Sequence, residues 1–206
     1  MIVIIDYNMG NLGSIQNMLK KIGAPACVSS SPEDILTAEK LILPGVGSFD
    51  HGMASLAGCG LLEPLNEAVL RRGKPILGIC LGMQLMARRS EEGQAPGLGW
   101  IDADVIRFDI GGSGLRVPHM GWNQVSRQRP GALFDGLGAQ TRYYFVHSYH
   151  VCCRNRDDVV TTTTHGLEFV SSLQHGNIFG VQFHPEKSHK FGMKLLQNYH
   201  DMVPHA

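Results

Sequence analysis

Four short apolar runs constrain this chain most. Residues 2–6, 26–28, 40–43 and 75–79 are apolar at nearly every position, and each stops at glycine, proline or a polar turn. A strand that is apolar on both faces has to be covered on both sides. Helical patterns lie between the runs. Asn11 is placed to cap a helix ending near Gly23, with Ile15, Met18, Leu19 and Ile22 on one face. Ser31-Pro32-Glu33-Asp34 is a helix start with proline at the first helical position. Residues 62–72 form an amphipathic helix. This alternation predicts an α/β fold with an open parallel sheet flanked by helices.

The second half reads differently. Residues 100–108, 122–125, 142–152, 158–163, 167–173 and 178–183 look like successive strands with turn chemistry between them. They predict an antiparallel β extension, closed by a helix over 187–203. The glycine-rich 111–114 is expected to be a mobile local turn. There is no internal repeat and no low-complexity linker. The 206 residues suit one domain with a sizeable core.

Bulk properties exclude several functions. Lys plus Arg and Asp plus Glu are both 18, so nothing argues for nucleic acid or an anionic membrane surface. No apolar stretch approaches the roughly 18 residues that cross a bilayer. Residues 1–6 are too short for a signal-peptide core and meet Asp6 at once. A cytoplasmic protein is expected. The five cysteines, at 27, 59, 80, 152 and 153, are an odd number without paired spacing and read as free thiols.

One cysteine stands apart. Cys80 lies in Gly78-Ile79-Cys80-Leu81-Gly82, directly after a strand and before a helical pattern. That is the frame of a nucleophile elbow, where crowding at a sharp turn demands small neighbours. The helix start beyond it favours thiolate over thiol. The other four cysteines lack this context and read as structural.

His184 and Glu186 can complete a triad. His184 follows the strand 178–183, so it sits at the carboxyl edge where open α/β sheets place their sites. Glu186 can turn back to hold the second imidazole nitrogen. Cys80 then attacks, His184 moves the proton and Glu186 orients His184. Charge on a substrate carbonyl oxygen needs N–H donors, each contributing roughly 3 kcal/mol. The amide of Leu81 is one expected donor. Gly47, in the turn Pro44-Gly45-Val46-Gly47, is the second. That turn is neither a dinucleotide fingerprint nor a phosphate loop, since Asp50 stands at the third glycine position and no Gly-Lys-Ser/Thr follows.

Ten histidines raise the question of a metal, with His147, His150, His184 and His189 as conceivable ligands. His147 and His150 are three apart on an expected strand and so should face opposite sides. Neither metal nor cofactor is expected.

These segments together resemble the class I, triad-type glutamine amidotransferases over nearly the whole chain. The elbow Gly78–Gln84 and the segment Gly180-Val181-Gln182-Phe183-His184-Pro185-Glu186 carry the class. Asp6–Leu12, Leu43–Gly47, Pro118–Asn123 and Tyr144–Tyr149 narrow the likeness to glutaminase subunits of imidazole glycerol phosphate synthase. The resemblance implies a single glutamine amidotransferase type 1 domain over 1–206, flavodoxin-like in its sheet. It implies glutamine hydrolysis through a thioester on Cys80, with Gln84, His147, Ser148 and Tyr149 lining the substrate pocket. It further implies a heterodimer with a (β/α)8-barrel cyclase subunit that receives the ammonia. Met9, Asn11, Trp122, Asn123, Tyr144 and Lys187 would lie at or near that interface. The stretches 47–53 and 187–194 look like second-copy members of the subunit family. Some of those members sit with surface-polysaccharide genes and supply ammonia for sugar amidation, which opens the identity of the acceptor. Two other readings are a stand-alone cysteine hydrolase or isomerase and a non-catalytic regulatory subunit. The intact Cys80, His184 and Glu186 argue against the latter.

Overall fold

The computed structural model describes residues 1–203. Its centre is an eight-stranded sheet. Strands β1 (Ile2–Ile5), β2 (Ala26–Ser29), β3 (Lys40–Leu43) and β4 (Ile76–Ile79) supply the parallel half. Between them run α1 (Leu12–Lys21), α2 (Pro32–Thr37), α3 (Phe49–Gly58) and α4 (Leu62–Asn66). The last of these widens into a π turn over Glu67–Arg71. After β4 come α5 (Leu81–Leu85), β5 (Arg89–Ser90), β6 (Ala103–Arg107), β7 (His119–Gln124), β8 (Ser126–Arg127) and β9 (Arg142–His147). Strands β10 (Tyr149–Cys153), β11 (Val159–His165), β12 (Leu167–His175) and β13 (Ile178–Val181) follow, and α6 (His189–Asp201) closes the chain.

The sheet order is β2-β1-β3-β4-β13-β12-β11-β8. Strands β1 to β4 and β13 are parallel; β12, β11 and β8 extend the sheet antiparallel. The apolar runs fill a core on each face. Val3, Ile5, Leu41 and Leu43 point into one core, and Ile2, Ile4, Ile42 and Leu77 into the other. This explains why the strands read as unbroken hydrophobic stretches rather than alternating ones. Helix α6 is pinned across the second core: Tyr199 Oη donates to the carbonyls of Leu41 at 2.7 Å and Pro75 at 3.0 Å.

Two differences from the sequence reading bear on the site. The strand expected over 142–152 is two strands broken at Ser148. One pairs with β7 in a two-stranded ribbon, the other with β6 in a three-stranded sheet. The break re-aims the side chains that follow it. His147 and His150 therefore do not face opposite sides: both pack on Phe108, with ring centroids 5.2 and 4.7 Å away. Helix α3 was not read from the sequence, because its Gly52 and Gly58 weaken the helical pattern. Among the described residues no helix is long and apolar enough to cross a membrane.

Candidate active site

The elbow is built by close backbone approach. A Cβ at residue 82 would stand 1.9 Å from the Leu43 carbonyl oxygen, and one at residue 78 would stand 2.8 Å from Gly82. Glycine at both positions lets β4 turn into α5 directly beneath β3. Cys80 takes the strain, with φ 53° and ψ −108°. A left-handed φ at a non-glycine residue costs of order 1–3 kcal/mol and persists only where its surroundings dictate it. Here the Cys80 amide donates to the carbonyl of Val181 on β13 at 2.8 Å. The turn Pro44–Gly47 packs on the elbow, and Tyr7 Oη donates to the Pro44 carbonyl at 2.5 Å.

The bond from Cys80 to Val181 also explains how the triad assembles. β13 pairs with β4 in parallel register, Val181 opposite Ile79. Both strands therefore end at the same edge, and the residues beyond them meet there. His184 is 1% exposed, and its Nδ1 lies 2.7 Å from Glu186 Oε1. The carboxylate can only accept, so Nδ1 carries the proton and Nε2 is the working nitrogen. Nε2 is buried and has no hydrogen-bond partner of good geometry in this arrangement. Burial alone would lower the imidazole pKa; the Cys80 sulfur and Glu186 together carry it up to about 10.

Cys80 and His184 line one cavity of about 340 Å³ with Gly47, Leu81, Gln84, His147, Ser148 and Tyr149. That volume lies in the usual range for small-ligand sites, about 300–1,000 Å³. Every residue expected in the pocket is thus brought together. Leu81 opens α5, so its amide has no partner inside the helix and is available to a ligand. Gly47 has φ 109°, a conformation that only glycine adopts freely. Gln84 Nε2 donates to the carbonyl of Tyr149 and to Gln182 Oε1, both at 3.0 Å, which leaves its Oε1 as a free acceptor.

Glu92 was missed. It lines the same cavity, and its Oε2 accepts the Phe49 amide at 2.9 Å. It lies on an irregular connection after β5, where no periodicity or motif marks it. Pro118 and Val146 complete the wall. Among the described residues no group of three or more His, Cys, Asp or Glu is arranged to hold a metal ion.

The residues assigned to a partner interface divide into two sets. Trp122 is 43% exposed, Lys187 and Asn11 are exposed, and Tyr144 is half-buried with Lys187 Nζ 5.8 Å above its ring. Trp122 and Tyr144 face each other in the β7–β9 ribbon, and Met120 on the same side of β7 is 63% exposed. Met9 is instead buried, its methyl group close against Gly47. Asn123 is half-buried and hydrogen-bonded inward to His119 and Thr164. Asn11 Oδ1 caps α1 by accepting the Ser14 amide at 3.4 Å.

Comparison with known proteins agrees with this geometry. Residues 3–202 match the model of the class-I glutamine amidotransferase family. A Pseudomonas aeruginosa protein named imidazole glycerol phosphate synthase subunit HisH 2 is 52% identical, covering 98% of this chain and all of the relative. A Moorella thermoacetica protein named imidazole glycerol phosphate synthase subunit HisH is 50% identical over all of this chain and 96% of its own. Among solved structures, PurLQS from Thermotoga maritima superposes with a TM-score of 0.71 at 19% identity, covering 96% of this chain and 95% of that one. The glutaminase domain of Trypanosoma brucei CTPS, solved with bound acivicin, gives 0.63 at 14% identity, over 99% of this chain and 96% of that one.

Proposed function

This chain belongs to the class I glutamine amidotransferase family, and from that premise we propose that it is the glutaminase subunit of an imidazole glycerol phosphate synthase. It hydrolyses L-glutamine to glutamate and passes the ammonia to a (β/α)8 cyclase subunit. The observation that carries the reading is the meeting of Cys80 and His184 in one cavity, with Glu186 behind the imidazole.

The reaction runs in two halves. Cys80 gives its Sγ proton to His184 Nε2 and the sulfur attacks the side-chain amide carbon, forming a C–S bond while the carbonyl electrons move to oxygen. The Leu81 and Gly47 amides receive that oxyanion. The C–N bond then breaks, His184 Nε2 gives its proton to the nitrogen, and ammonia leaves behind a thioester. In the second half His184 takes a proton from water, the oxygen attacks the thioester and the C–S bond breaks, releasing glutamate. Glu186 keeps the Nδ1 proton in place through both halves. The free Gln84 Oε1 and the Glu92 carboxylate suit the substrate ammonium, and His147, Ser148 and Tyr149 bound its far end.

The need for a partner follows from ammonia chemistry. Near neutral pH ammonia is protonated in bulk water and loses its nucleophilicity, so a closed passage is required. The exposed Met120, Trp122 and Lys187 beside the site offer the docking face. Five free cysteines suit a reducing, cytoplasmic setting. The test is glutamate release by the chain alone and with the cyclase subunit carrying its nucleotide substrate. Strong stimulation supports the reading. High turnover without the partner, or none with it, overturns it.

A second reading keeps the hydrolysis and changes the acceptor. The second-copy character of residues 47–53 and 187–194 favours a sugar amidotransferase as recipient. Stimulation by that enzyme and not by the cyclase decides for it.

A further inference from the structure

Gln182 is fully buried, two residues before His184. Its amide belongs to a line of hydrogen bonds in which each donor and acceptor is fixed by the next. The fixed point is the carbonyl of Tyr149, which can only accept. It is approached by His147 Nδ1 at 2.8 Å and by Gln84 Nε2 at 3.0 Å. Gln84 therefore presents nitrogen there, and the same nitrogen donates to Gln182 Oε1. That settles the Gln182 amide as well: oxygen toward Gln84, nitrogen toward Cys80. A flipped Gln182 would set two amino groups against each other. Its Nε2 donates to Cys80 Sγ at 3.6 Å.

The same logic runs outward. With its Nδ1 proton committed to Tyr149, His147 accepts at Nε2, so His119 Nδ1 donates to it at 3.0 Å. His119 Nε2 then accepts from Asn123 Nδ2 at 3.2 Å, and Asn123 also donates to the Thr164 carbonyl at 2.9 Å. This order needs both imidazoles neutral. Burial keeps them so, lowering His119 to about 4 and His147 to about 3. The line begins at a backbone carbonyl near the exposed ribbon and ends on the nucleophile.

We propose that Gln182 is a further catalytic residue, whose amide N–H stabilises the Cys80 sulfur as the reacting anion. Gln84, oriented by the Tyr149 carbonyl, keeps this amide from turning over. A donor aimed at an anion is worth more than the same donor aimed at a neutral thiol, so the contact favours the attacking form. Its effect on turnover rests on the glutaminase reading; its effect on the sulfur does not.

The test is therefore made on the sulfur. Gln182→Met keeps length and bulk and removes the donor. The rate of iodoacetamide alkylation is followed on the Cys80 peptide by mass spectrometry, using the full chain at pH 7. The Met variant should alkylate about tenfold more slowly, a modest value for one hydrogen bond to a charged group. Glutamate release should fall by at least that factor. If Gln182→Met fails to fold, Gln182→Leu, which also removes the donor and adds no charge, takes its place with the same expectation. Alkylation at the wild-type rate in the folded variant overturns the proposal. Slowed alkylation, with no glutamate released by the wild type under any condition, leaves the proposal standing and overturns the glutaminase reading instead.

Discussion

The backbone N–H of His184 donates to the carbonyl of Tyr144 at 2.9 Å, an isolated antiparallel bridge outside the regular sheets. The proposed base is thus tied to the ribbon residue that pairs with Trp122 and lies beneath the Lys187 ammonium. A push on Tyr144 reaches His184 through one hydrogen bond. Lys187→Ala removes a cation 5.8 Å above the Tyr144 ring from an exposed position. Exposed contacts of this kind contribute up to about 1 kcal/mol. The melting temperature should move by no more than a few degrees, while partner stimulation of glutamate release falls severalfold. A large melting shift with coupling intact would contradict the interface role.

Cys80→Ala should abolish glutamate release, by a factor of at least about 1,000, because no other group near the cavity can form the thioester. Synthesis by the partner from added ammonium should survive. Loss of both would make Cys80 structural.

His184→Ala should cost more than Glu186→Gln. In the proposed reaction the histidine moves protons in both halves. A glutamine at 186 can still accept the Nδ1 proton through its carbonyl oxygen, and Glu186 Oε2 has no partner to lose. Turnover should fall about 1,000-fold or more for the first and about 10- to 100-fold for the second. Steady-state kcat with the partner bound ranks them; the reverse order sinks the assignment.

Stability should fall on both sides of neutrality. Burial holds His119 and His147 neutral, with pKa lowered to about 4 and about 3. An unfolded histidine titrates near about 6.5, so below that pH the unfolded chain binds protons that the folded chain refuses. Their contribution is present above 6.5 and lost as pH falls through 4 toward 3. His184 has the opposite sign. Burial opposes its charge, but Cys80 and Glu186 raise its pKa to about 10. Its contribution is complete below about 6.5 and is lost as pH rises toward 10. Denaturant melts across pH should show His147→Phe flattening the acid limb and His184→Phe the alkaline one. Unchanged limbs would refute the linkage.

Two glycines separate crowding from propensity. Gly82→Ala drives a methyl group against the Leu43 carbonyl, backbone against backbone, and should destabilise by at least about 3 kcal/mol. Gly13 lies in α1 with nothing near its would-be Cβ, so Gly13→Ala should stabilise by about 0.5–1 kcal/mol. Thermal melts distinguish them, and equal effects would mean the elbow relaxes freely.

The parallel sheet and the triad were legible because both leave local marks. Ile2–Ile5 and Ile76–Ile79 are short and apolar at every position, and Cys80 sits in a glycine frame at a strand end. The break at Ser148 left none. It is set by two partners, β7 and β6, that lie far away in sequence, so His147 and His150 fell on the same side against expectation. Glu92 escaped for a related reason. Its role comes from the Phe49 amide and the cavity wall, and neither is encoded near residue 92. The orientation of Gln182 is more remote still, being fixed by the Tyr149 carbonyl through Gln84.

The pairing of β4 with β13 has a consequence for biosynthesis of the polypeptide itself. The nucleophile emerges from the ribosome about a hundred residues before its base. Until β13 is translated and docks beside β4, Cys80 lacks the backbone bond that anchors the elbow, and the His184 imidazole has not reached it. A truncated or half-made chain therefore carries a thiol but no hydrolytic power. Chemistry switches on only after His184 and Glu186 have been made and β13 has docked.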